Sequence, residues 1–173
     1  MQLGEIMSGE KALADLFEKA FDTLDPQEIK KAVDEHGIDK FISRCAKRSA
    51  IIGGICGAGG LTTGLLGLPF DVWNNVIQQF RVTLGVIYHQ RGICSVGFHD
   101  FMKIVGVSVG VETGASVTST VMLLIAFQIL TRLGVSNVAG AVPITGSVVR
   151  GSVNYAFISG IGAAVKAIDM NAF

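Results

Sequence analysis

From Ser49 to Leu68 the chain runs SAIIGGICGAGGLTTGLLGL without a charged residue. No other feature restricts the fold as strongly. A stretch this apolar must be buried in protein or lie against lipid, and as a helix it extends about 30 Å. Glycine recurs within it at Gly53 and Gly57, and again at Gly60 and Gly64. The same four-residue step returns at Gly106, Gly110 and Gly114. Residues four apart share one helix face, so each set predicts a face stripped of side chains along which two backbones approach closely. A helical glycine costs about 1 kcal/mol against alanine, so this many need a packing reason. The expectation is an all-α protein, a compact bundle of about five to seven helices with glycine-rich apolar core helices.

Charge is the second constraint. Fourteen lysines and arginines balance 14 aspartates and glutamates, which removes the basic surface expected of a nucleic-acid binder. Only 16% of residues are charged, 50% are hydrophobic and the mean hydropathy is +0.53. A soluble domain of this size carries about 25% charged residues. The deficit points to a membrane, a large apolar ligand or an oligomer that hides surface. Residues 1–48 read as charged, amphipathic N-terminal helices and residues 49–173 as a glycine-rich apolar helical core, within one folding unit.

The helices have legible punctuation. Ser8 predicts the cap of a first helix in which Leu13, Leu16, Phe17, Ala20, Phe21 and Leu24 recur at helical spacing. Asp25-Pro26-Gln27-Glu28 is a start signal for a second, which Gly37 ends, with His36 as a capping side chain. A third begins near Asp39 and runs into the apolar stretch. After Pro69, residues Asp71 to Arg91 form a helix stopped by Gly92. An apolar helix from Asp100 to Arg132, with a possible break near Thr113-Gly114, and a last one over Thr145 to Met170 complete the expectation. The acids Glu5, Glu10 and Asp15 make the N-terminus unlike a secretory signal.

Catalytic and metal motifs are missing. The glycine run lacks the lysine and hydroxyl residue of a P-loop, and Thr62 stands where a dinucleotide fingerprint needs its third glycine. Cys45, Cys56 and Cys94 have no metal-like spacing, and His89-x4-Cys94-x4-His99 matches no zinc pattern. No metal or cofactor is expected, and the chain reads as a non-enzyme. Polar residues remain to be explained. On the fourth helix Asp71, Asn75, Gln78 and His89 share a narrow arc at about 100° per residue. They either line a polar pocket or form the solvated or hydrogen-bonded face of an ordinary amphipathic helix. Glu112 and Arg150 lie inside apolar regions, where a lone charge is expensive. They are expected to pair across the bundle or to face water in a cavity, and they argue against simple membrane spans.

Two segments resemble the EcsC family of bacterial proteins. The first is GLPFDVWNNVIQQFRVTLGVIYHQRG, residues 67–92, with a small residue and proline before an aspartate, then an amphipathic helix ending in an aromatic and a glycine. The second is AVPITGSVVRGSVNYAFISGIGAAVKAI, residues 141–168, where Pro143, Gly146, Asn154, Tyr155 and Phe157 carry the match. The His89-Gln90-Arg91-Gly92 ending departs from the shorter family pattern. The resemblance implies a bacterial helical protein linked to a transporter gene neighbourhood, with no established reaction and no catalytic residue to transfer. It singles out Asp71, Arg81, Arg150 and Asn154 as a polar set.

The functional expectation is a membrane-associated, non-enzymatic protein of the bacterial cytoplasm or the cytoplasmic face of the inner membrane, contacting lipid or a membrane partner. The alternative is a soluble carrier enclosing a lipid or other apolar molecule. A homo-oligomer with facing glycines is a third arrangement. The residues expected at a ligand are Asp71, Asn75, Gln78, Arg81, Glu112, Arg150 and Asn154.

Overall fold

The computed structural model describes residues 14–59, 70–114, 116–133 and 147–173. Among these, seven α-helices and no strand occur: α1 over residues 14–22, α2 Pro26–His36, α3 Ile38–Gly59, α4 Phe70–Arg91, α5 Phe98–Ser108, α6 Ser119–Arg132 and α7 Ser147–Lys166, followed by a 3₁₀ turn at Met170–Ala172. The all-α bundle expected from the sequence is what forms.

Local chemistry sets the helix ends. The Asp25 carboxylate accepts the Gln27 and Glu28 N–H groups at 2.9 and 3.0 Å, and Pro26 opens α2 where no N–H is missed. Gly37, at φ 77° and ψ 158°, turns α2 directly into α3 through a conformation open essentially to glycine alone. The compositional change after Arg48 falls inside α3, so the charged and apolar regions share one continuous helix.

Helices α3, α4 and α7 form the centre. A side-chain carbon on Gly162 would meet Ile42 at 2.6 Å, one on Gly151 would meet the Ala50 carbonyl at 3.0 Å, and Gly53 lies against Arg150 and Asn154. These pairings run α7 antiparallel to α3. Ser49 against Asn75 and Gly85 against Phe41 set α4 antiparallel to α3 in turn. Two ends of the bundle follow. One gathers the C-terminal turns of α3 with the first turns of α4 and α7. The other gathers Asp39 and Lys166, paired at 2.6 Å, with Gln90 donating to the Lys166 carbonyl. Helix α4 is buried on nearly every side, and Phe80 joins Phe17 and Phe101 in an aromatic cluster that seats α1 and α5.

The glycine faces divide. Gly53 does sit at a close helix crossing, covered by α7. Gly57 is helical, but its surroundings, with Gly60 and Gly64, lie outside the described residues. The expected face of Gly106, Gly110 and Gly114 does not form, because α5 stops at Ser108. Gly110 has φ 81°, its N–H bonds to the Val107 carbonyl, and the Val111 N–H bonds to the Gly106 carbonyl. That double bond pattern with a left-handed glycine is a Schellman stop. Gly114, at φ 39°, lies in the loop that follows. Only Gly106 packs as a helical glycine, against Thr113 and Ile125. The predicted cap at Ser8 lies outside the described residues.

Candidate functional site

Helix α4 carries far more buried polarity than a solvated stripe would. Asp71, Asn74, Asn75, Gln78, Gln79 and Thr83 are all buried, so of the expected stripe only His89 is solvated, while Asp71, Asn75 and Gln78 form its hydrogen-bonded part. The sequence itself held a stronger signal than a single arc. The doublets Asn74-Asn75 and Gln78-Gln79 repeat four residues apart, so amides project from two adjacent faces of one helix.

Two polar constellations use this helix. In the first, the Asp71 carboxylate meets Arg150 Nε at 3.0 Å. Arg150 therefore pairs with Asp71 and not with Glu112. Glu112 is exposed on the connection after α5, outside any helix, so the expected Glu112–Arg150 pair does not exist. Beside the ion pair, Asn75 donates to the Asp71 carbonyl at 2.8 Å and accepts from the Ser49 hydroxyl. Asn154 donates to the Ser49 carbonyl at 3.3 Å. The missing side chain at Gly53 leaves room for Asn154. Asp71, Asn75, Arg150 and Asn154 thus form a seam joining α3, α4 and α7. Asp71 Oδ1 has no hydrogen-bond partner among the described residues.

The second constellation opens to solvent. Helices α2, α3 and α4 enclose a cleft of about 530 Å³ whose lining includes Glu28, Arg44, Cys45, Arg48, Gln78 and Arg81. The Arg81 guanidinium donates to both Glu28 oxygens at 2.9 and 2.8 Å. That fork holds the Glu28 carboxyl below the ordinary glutamate range. Burial pushes the Cys45 thiol up, away from thiolate chemistry. With Lys31 and Glu35, the walls present four cations to two carboxylates. Gln78 belongs here, with Nε2 on Asn74 at 3.3 Å and Oε1 buried without a partner.

Of the residues expected at a ligand, Gln78 and Arg81 line this cleft, Asp71, Asn75, Arg150 and Asn154 build the seam, and Glu112 joins neither. Glu28, Arg44 and Arg48 were not anticipated. Arg44 and Arg48 are four apart on α3, a spacing that places both on one face with Ile51 and Ile55. Among the described residues no group of three His, Cys, Asp or Glu side chains gathers to hold a metal. His89 is exposed, Cys94 approaches the Pro26 carbonyl and His99 accepts the Val117 N–H. No family model matches the chain, and no curated protein or solved structure matches it either.

Proposed function

We propose that this is a non-enzymatic protein, EcsC-like in its two characteristic segments, that docks on an anionic membrane surface through one end of its bundle. One observation carries the reading. Ile51 (63% exposed), Ile55 (58%), Phe70, Val148 (79%) and Val149 are exposed apolar side chains gathered where α3 ends and α4 and α7 begin. In the sequence, residues 60–69 and 134–146, which precede α4 and α7, contain no charged residue. Exposed apolar groups on this scale are found at interaction surfaces.

The occupant is argued from charge. On the exposed face of α3, Arg44, Lys47 and Arg48 precede Ile51 and Ile55 by about one to three turns. A basic band bordering an apolar tip complements anionic headgroups over acyl chains. Helix α7 contains the one described segment, Val148–Lys166, long and apolar enough to cross a membrane. Its Ile158, Ile161 and Val165 are buried in the bundle, which favours docking over spanning. An enclosed apolar ligand has less support. The apolar hollow bounded by Leu16, Phe17, Val72, Val76 and Ile129 measures about 10 Å³, scarcely room for one water.

Flotation with vesicles of phosphatidylcholine alone or mixed with phosphatidylglycerol tests the reading. The protein should float with the anionic vesicles. Ile55→Glu with Val148→Glu should lower the bound fraction roughly tenfold or more, since burying each apolar side chain is worth about 1.5–3 kcal/mol. Equal flotation of the double variant, or no flotation of the wild type, would reject it.

A further inference from the structure

The cleft between α2, α3 and α4 holds polar atoms that the protein leaves unused. Gln78 is 3% exposed, and its Oε1 accepts no hydrogen bond. Arg81 spends both terminal nitrogens on Glu28, while its buried Nε meets no oxygen or nitrogen acceptor and the Cys45 thiol lies beside the guanidinium. Across the cleft, Arg44 and Arg48 are exposed on consecutive turns of α3, with no ion-pair partner among the described residues. The two carboxylates on the same walls are occupied. Glu28 is held by Arg81, and Glu35 lies 3.9 Å from Lys31 and 4.0 Å from His36.

These atoms specify a ligand chemistry. Guanidinium groups converging from two helices suit a tetrahedral oxyanion, which presents several oxygens in different directions, better than a planar carboxylate, which one fork satisfies. Gln78 Oε1 is an acceptor and repels an anion, so it requires a donor from the same ligand. The volume of about 530 Å³ accommodates more than a bare phosphate. We propose that the cleft binds a phosphate ester carrying a free hydroxyl. Its phosphate oxygens accept from Arg44 and Arg48, and, as Arg81 and Gln78 turn their buried Nε and Oε1 toward the cleft, from Arg81 Nε, while its hydroxyl donates to Gln78 Oε1. A soluble polyol phosphate and the glycerol headgroup of an anionic lipid share this chemistry. The site goes beyond the membrane reading, with which it shares Arg44 and Arg48 but not the apolar end.

NMR titration of the full chain with glycerol 3-phosphate and with methyl phosphate, beside flotation on phosphatidylglycerol vesicles, tests the site. Arg44→Gln combined with Arg48→Gln changes only exposed side chains and leaves the buried framework intact. Saturable binding of glycerol 3-phosphate, tighter than methyl phosphate and weakened about tenfold or more in that double variant, supports a soluble ligand. Flotation that falls by a similar factor in Gln78→Leu as well as in the double variant, with no response to glycerol 3-phosphate, supports the lipid headgroup, whereas a fall in the double variant alone reports only the basic band and rejects the cleft. Gln78→Leu should erase the preference for glycerol 3-phosphate over methyl phosphate. The proposal fails if neither probe gives a response that depends on Arg44 and Arg48, or if the two soluble esters bind the wild type equally. Loss of vesicle binding in Ile55→Glu with Val148→Glu but not in the arginine variant, together with no arginine-dependent response to glycerol 3-phosphate, would reject this site while sparing docking by the apolar end.

Discussion

Helix α4 carries two arginine–carboxylate pairs, roughly 15 Å apart along its axis, and they are built in opposite senses. In Asp71–Arg150 the acid is the buried partner, 5% exposed against 27% for the arginine side chain. In Glu28–Arg81 the acid is open to solvent and the arginine lies against the protein, at 55% and 14%. The first pair closes three helices around a carboxylate. The second borders a cleft that water and solutes reach. A buried carboxylate that loses its partner keeps only the field of the α4 N-terminus, whereas Arg81 can exchange its partner for water or an incoming anion. One pair therefore closes the fold, and the other borders the cleft proposed to bind a ligand.

The sharpest way to break this contrast is to remove Arg150. Arg150→Met should cost about 3–5 kcal/mol of unfolding free energy, because the buried Asp71 carboxyl is left without its partner. The double variant with Asp71→Asn should lose less than the sum of the single losses. Urea denaturation of the four proteins measures both quantities. Additive losses would mean that the two side chains do not act as a pair.

A second comparison lies within α7, between glycines nine residues apart in sequence. A methyl group on Gly151 would press on the Ala50 carbonyl of α3, while one on Gly160 meets nothing within 4 Å. Gly151→Ala should cost about 1–3 kcal/mol by forcing two backbones apart. Gly160→Ala should instead add about 0.5–1 kcal/mol through helix propensity. Thermal melts of the two variants should move in opposite directions. A neutral Gly151→Ala would show that α3 and α7 do not touch at this crossing.

The two glycines also show what a linear pattern carries. Helix starts and stops were legible because they depend on neighbours in sequence, as at Asp25, Pro26, Gly37 and Gly92. Four-residue glycine spacing was less decisive. The same step describes a packing face at Gly53 and a Schellman stop at Gly110, and the two differ only in whether the helix continues. The buried polar residues were legible as chemistry but not as partnership. Asp71, Arg150 and Asn154 announced themselves as polar residues in apolar surroundings, yet Arg150 meets an acid 79 positions away instead of Glu112. Pairing across a bundle depends on helix order and register, which composition leaves open. Glu28 escaped notice for a related reason. It looked like a helix-start acid, and that local role explained it before any tertiary one was sought.

The Glu28–Arg81 pair gives the mildest and most specific prediction. Hydrogen bonds from Arg81 lower the Glu28 carboxyl from its ordinary value of 4.5, against a smaller opposing effect of burial. A carboxyl lowered in the folded state contributes stability above its unfolded value and loses it as pH falls through the folded one. At neutral pH, Glu28→Gln should therefore cost about 0.5–1 kcal/mol, the range of a largely solvent-screened pair. The difference between wild type and variant should vanish as acid protonates Glu28 in the folded protein. Asp34, lowered by its bond from Tyr88, and Asp39, lowered by Lys166, titrate in the same direction. Both remain in the variant, so their contributions cancel when urea midpoints of the two proteins are subtracted at each pH. A gap that stays constant down to strongly acidic pH would place the effect in packing instead of charge, and would remove the basis for treating this pair as the exchangeable one.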